Sequence, residues 1–117
     1  MPQYLVAIQH PKTFDPSQEG PETIRDIDAL NIEMEEAGVR FYAGGLESPS
    51  HAKSLRKDPN NNTVVTDGPF LEAKEYVGGF WILNCPNMDE AVAWGKKAVI
   101  ACRTPVEVRA FLEMPSE

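Results

Sequence analysis

A chain of 117 residues holds one domain, residues 1–117, and leaves no room for separate substrate and cofactor lobes. Apolar residues make up 42%, enough for a packed core without a disulfide or metal staple, which argues against wholesale disorder. With 11 basic against 18 acidic residues and a net charge of −7, the chain is a poor counterion for nucleic acid or an anionic membrane, so neither partner is expected.

Residues 3–10 (QYLVAIQH) predict a strand with Tyr4, Val6 and Ile8 on one side and Leu5 and Ala7 on the other, hence buried on both faces. Pro11 ends it, and residues 12–20 form a loop. A helix is expected from Pro21 to Ala37. Pro21 suits its first position, and Glu22 suits the positive end of its dipole. Ile24, Ile27, Leu30, Met34 and Ala37 give one apolar face, and Gly38 is placed to close the helix in a left-handed conformation.

Residues 39–46 read as a second strand whose Gly44-Gly45 pair signals a bulge or a close backbone approach. Residues 47–57 carry no decisive pattern beyond a short strand after Pro49. Residues 58–62 (DPNNN) form a turn, and residues 63–66 read as a strand broken by Asp67-Gly68-Pro69. Residues 76–84 (YVGGFWILN) are a strong strand. A second helix begins near Asn87, with Glu90 completing a capping pair. Its small-residue stripe of Ala91, Gly95, Ala98 and Cys102 lets it lie close to a sheet, and Lys96, Lys97 and Arg103 favour its C-terminal end. Residues 106–114 form the last strand. Val106, Val108, Ala110 and Leu112 share one face, and Glu107, Arg109, Phe111 and Glu113 share the other.

This order predicts an α+β fold, a ferredoxin-like antiparallel sheet with both helices on one face. The second sheet face would then expose aromatics such as Phe80 or Trp81. An apolar face of that size marks an interface or a groove, so two chains are expected to pair face to face as a dimeric α+β barrel. Cys85 and Cys102 are too few for a secreted disulfide framework. No signal-like lead is evident, and no apolar run approaches the ~20 residues that span a bilayer. A reduced, cytoplasmic homodimer is expected.

The most unusual stretch is Asp67-Gly68-Pro69-Phe70-Leu71-Glu72-Ala73-Lys74-Glu75-Tyr76-Val77-Gly78-Gly79-Phe80. Its plain reading is a turn with a solvated charged rim. Its functional reading is a pocket edge. Asp67, Glu72 and Glu75 are then the candidate acid/base groups, and Asp67, Phe70, Lys74 and Phe80 the candidate ligand contacts. Gly78-Gly79 makes room for a bulge, another backbone or a ligand.

This segment resembles the DGPF branch of the YCII-related family, matching DGPF-x-E-x-KE-x-x-GGF from Asp67 to Phe80. Ala43-Gly44-Gly45-Leu46 and Asp89-Glu90-Ala91 with Trp94 extend the resemblance over nearly the whole chain. It implies a ferredoxin-like fold paired into a dimeric barrel, no firmly assigned reaction, and a regulatory or stress setting through a link to extracytoplasmic-function sigma factors. In the narrower branch a His at the start of the first helix is paired with an acid before the following strand. Glu36 matches the acid, but Pro21-Glu22-Thr23-Ile24 has no His, so that dyad is not carried over.

If the valine face of its strand meets the helices, Arg109 and Phe111 point between subunits and Arg109 becomes an anion clamp; its plainer role is to pair with Glu107 or a partner acid across the interface. His10, at a strand end, is a pocket-mouth candidate, though a solvated or hydrogen-bonded role is the commoner one; His51 is a weaker candidate. The cysteines are expected to pack as small apolar groups. No ligand spacing suggests a metal, and no phosphate loop, dinucleotide fingerprint or nucleophile elbow suggests a cofactor or triad hydrolysis. Three functions stay open: a homodimer binding an unidentified small molecule between its subunits, a cofactor-independent enzyme using carboxylate acid/base chemistry, and a sigma-factor-associated interaction module.

Overall fold

The computed structural model describes residues 1–71 and 73–113 of the chain. The elements run β1 (Gln3–Pro11), α1 (Pro21–Glu36), β2 (Arg40–Gly45), β3 (Lys53–Lys57), β4 (Thr63–Asp67), β5 (Glu75–Asn84), α2 (Met88–Cys102) and β6 (Val106–Ala110), with short 3-10 turns at Pro16–Gln18 and Pro49–His51. Four strands form one antiparallel sheet in the order β2-β5-β1-β6. Strands β3 and β4 form a separate antiparallel hairpin inserted between β2 and β5. With that hairpin set aside, the strand–helix–strand–strand–helix–strand path is the ferredoxin-like one.

Helix α1 starts at Pro21 and ends as expected, with Ala37 as its C-cap and Gly38 at φ 72°. Its buried seam keeps Ile27, Leu30 and Met34 of the expected face and differs from it at the two ends. Thr23, Leu30 and Met34 are buried and Ile27 half-buried, whereas Ile24 and Ala37 are exposed. Positions 23, 27, 30 and 34 step by four, three and four, so Ile24 lies about 100° round the helix from the seam.

Helix α2 begins beyond Asn87, whose side-chain oxygen accepts from the Glu90 amide at 2.9 Å. The predicted small-residue stripe is the buried one, joined by Ala101. Arg103 is itself the left-handed C-cap, and its Nη1 donates to the Ala101 carbonyl at 3.0 Å in the last turn, as a cation at that end of the dipole should. It also pairs with Asp26 at 2.9 Å, while Lys97 pairs with Glu33, and both of these contacts tie α2 to α1.

The core lies between the helices and one sheet face. Tyr4, Val6, Trp81 and Leu83 meet Leu30, Met34 and the alanines of α2, with Val106 and Val108 packed against them. Fully burying a side chain such as Met34 or Leu83 contributes roughly 1.5–3 kcal/mol. Alternation then assigns the opposite face, which the sequence had left undecided: it carries Leu5, Ala7, Phe80, Ile82, Glu107 and Arg109. Strand β6 is shorter than predicted: its ladder with β1 ends at Ala110 opposite Tyr4, with one more bond from the Phe111 amide to the Gln3 carbonyl at 2.9 Å; Met114 lies outside the described residues. Among the described residues no helix is long and apolar enough to cross a membrane.

Candidate functional site

Strand β1 reaches its C-terminal end at His10, where the ladder with β5 shifts. Ile8 opposes Gly79 and Gln9 opposes Val77, so Gly78 is an extra residue bulged out of β5. The bulge is where His10 fits. A Cβ on Gly78 would lie 2.0 Å from His10 Cδ2 and 2.7 Å from Nε2, so no side chain can stand there while the ring keeps its place. The neighbouring Gly79 is also pressed by β2, its notional Cβ 2.9 Å from the Gly44 carbonyl oxygen. Phe14 stacks on the other side of the imidazole at a centroid distance of 3.8 Å and an interplanar angle of 2°, and Tyr76 stands tilted at 5.9 Å.

This packing fixes the ring but leaves it chemically open. Nδ1 of His10 is buried and has no hydrogen-bond partner among the described residues. Burial pushes the His10 pKa below the ordinary value of 6.5, and the Glu19 carboxylate partly opposes that shift. The imidazole is therefore neutral at neutral pH.

His10 opens on a cleft of about 340 Å³ between α1 and the ends of β1, β2 and β5. Its polar lining comprises His10, Glu19, Asn31 and Arg40; Ile8, Ile27 and Trp81 supply apolar walls. Asn31 helps to hold the cleft together. Its Nδ2 donates to the Ile27 carbonyl at 3.1 Å, and its Oδ1 accepts from Trp81 Nε1 at 2.9 Å and from Arg40 Nη1 at 3.2 Å. Arg40 also pairs with Glu35. Neither the Glu19 carboxylate nor the His10 ring makes a hydrogen bond or ion pair among the described residues.

The sequence profile of the YCII-related domain matches residues 3–114 of the chain. The chain belongs to that family. It is also 33% identical over 79 residues to an uncharacterised protein of Rhizobium meliloti, a match covering 68% of this chain and 63% of that protein. The chain thus spans less than two thirds of the length of the curated relative it matches.

In this YCII-related chain the predicted site residues are spread over three places. The tetrapeptide Asp67–Phe70 clasps the base of the β3–β4 hairpin. Asp67 pairs with Lys53, the Gly68 amide donates to the Ala52 carbonyl at 2.7 Å, and the Arg56 guanidinium lies 3.9 Å from the Phe70 ring centroid. The Lys74 carbonyl accepts from the Lys12 amide at 2.7 Å. Glu75 starts β5 and lines a second hollow of about 270 Å³ with Phe14, Pro49, Leu71 and Tyr76. Phe80 sits on the open sheet face, 6.0 Å from the Tyr42 ring. Arg109 sits on that same face, 3.2 Å from the Glu107 carboxylate. Glu72 lies outside the described residues.

His51 is exposed, 3.3 Å from the Glu47 carboxylate. Cys85 and Cys102 are buried, and burial raises both thiols, Cys102 to about 11 with Glu19 adding to it. Neither is a thiolate at neutral pH. Among the described residues no group of three or more His, Cys, Asp or Glu is arranged to hold a metal ion. The cleft residues Glu19, Asn31 and Arg40 are absent from the sequence reading because no motif spacing links them to His10. Gly78-Gly79 was the available signal, and it pointed to this bulge.

Proposed function

We propose that this chain is a small-molecule-binding protein of the DGPF branch, acting as a homodimer through its open sheet face, with its ligand held in the cleft at His10. One observation carries the reading. A neutral imidazole, locked between Phe14 and Gly78, faces a hollow of about 340 Å³ with a buried ring nitrogen that nothing among the described residues satisfies. Leaving such a group unpaired costs roughly 1–3 kcal/mol, which a bound molecule can offset. A cytoplasmic location accompanies this proposal through the low cysteine count, and a sigma-factor-linked regulatory setting through family resemblance.

A ligand that binds only the folded protein raises its melting temperature, by the equivalent of about 2.7 kcal/mol when present at a hundred times its dissociation constant. A thermal-shift screen of small metabolites is expected to yield at least one such compound, and His10→Gln is expected to remove its effect. A compound that stabilises the wild type and His10→Gln equally would overturn the placement. The same imidazole favours a second reading, a cofactor-independent enzyme, because a neutral ring beside a carboxylate can accept a proton. Under that reading the wild type chemically converts the compound found in the screen, as mass spectrometry would detect, and His10→Gln leaves it intact.

A further inference from the structure

We propose that the cleft takes a small protonated amine with an apolar or aromatic body, its ammonium held between the Glu19 carboxylate and the His10 imidazole; this rests on the cleft at His10 being the binding site. The argument begins from which polar groups are already engaged. Asn31 uses both its amide nitrogen and its oxygen inside the protein, and Arg40 is divided between Asn31 and Glu35. These two groups build the wall. His10 and Glu19 are left to meet a ligand.

Charge then selects the class. The Arg40 cation is matched by Glu35, so the negative charge of Glu19 is the one without a counterion at the cleft. Anion and cation both lose hydration on entering, but an anion also meets like charge at Glu19 whereas a cation is attracted to it. The hydrogen-bond inventory agrees. A carboxylate only accepts, and a neutral imidazole with its proton on Nε2 accepts through Nδ1, otherwise unpartnered among the described residues, so the matching group is a donor with several N–H bonds. An ammonium has three. The Ile8, Ile27 and Trp81 walls accommodate a short apolar body, and the Trp81 indole nitrogen is already bonded to Asn31.

Three probes of nearly equal size separate the alternatives: benzylamine, benzyl alcohol and benzoate. Each is titrated into isotopically labelled protein while the His10 ring resonances are followed by NMR, for the wild type and for Glu19→Gln. Benzylamine is expected to move the His10 signals in the wild type, to bind at least tenfold more weakly to Glu19→Gln, and to outbind benzoate by at least tenfold. If benzoate or benzyl alcohol moves the His10 signals at equal or lower concentration, the amine assignment is overturned while the cleft stands as a binding site. Undiminished benzylamine binding to Glu19→Gln overturns the assignment as well. If none of the three probes moves the His10 signals, the amine proposal and the underlying placement of the site both fall.

Discussion

The imidazole of His10 and the missing side chain of Gly78 compete for the same volume. Gly78 does not adopt a positive φ, so its requirement is steric rather than conformational. Gly78→Ala is therefore expected to cost roughly 1–3 kcal/mol, as overpacking of a close contact does. In a His10→Ala background the obstructing ring is gone, and most of that cost should disappear. Urea unfolding of the four members of this double-mutant cycle measures the coupling directly. Equal costs of Gly78→Ala in both backgrounds would show that something other than the ring excludes the methyl group.

Helix α2 approaches the sheet as closely as it does because of Gly95. A Cβ there would stand 2.9 Å from Val108 Cγ2, inside the contact distance of two carbon atoms. Gly95→Ala ordinarily favours a helix by about 1 kcal/mol through propensity, but here the collision should reverse the sign and destabilise by roughly 1–3 kcal/mol. Combining it with Val108→Ala removes the obstructing methyl, and thermal unfolding should recover part of the loss. The helices were readable at this scale because their signals are local: Pro21 and Gly38 bound α1, and Asn87 caps α2. Strand β3 was legible only as a short strand after Pro49, without bounds, since Lys53–Lys57 has only a half-buried Ser54 and shows no clear alternation of apolar residues. What orders it is the clasp at its base, where Asp67, Gly68 and Phe70 contact Lys53, Ala52 and Arg56.

The whole chain is a slab, 18 Å across in its thinnest direction, with helices on one side only. Its radius of gyration of 16.5 Å exceeds the roughly 13 Å of a compact domain of this length. The β3–β4 hairpin contributes to that excess, since it is mostly exposed and bonded into its own two-stranded sheet. The proposed homodimer covers the open face that carries Leu5, Phe80 and Ile82. Sedimentation of the wild type is expected to give twice the chain mass of 13.0 kDa. Because Phe80 lies away from the helix-side core, Phe80→Glu should yield a folded monomer with an unchanged far-ultraviolet spectrum. A wild-type monomer at micromolar concentration would contradict the dimer, and an unfolded Phe80→Glu chain would contradict the face assigned to Phe80.

Local chemistry along the chain was sufficient for the succession of strands and helices, for the apolar stripe of α2 and for the bulge at Gly78-Gly79, because each depends on residues within a few positions of one another. It also carried the family, whose pattern lies in one contiguous segment. The cleft depends on a different kind of information. His10, Glu19, Asn31 and Arg40 sit at the end of a strand, in a loop, on a helix and at the start of another strand, and antiparallel pairing with helix packing brings them together. The same long-range packing turned Trp81 toward the helices and Phe80 away from them, since alternation specifies opposite faces while only the placement of α1 and α2 says which face is covered.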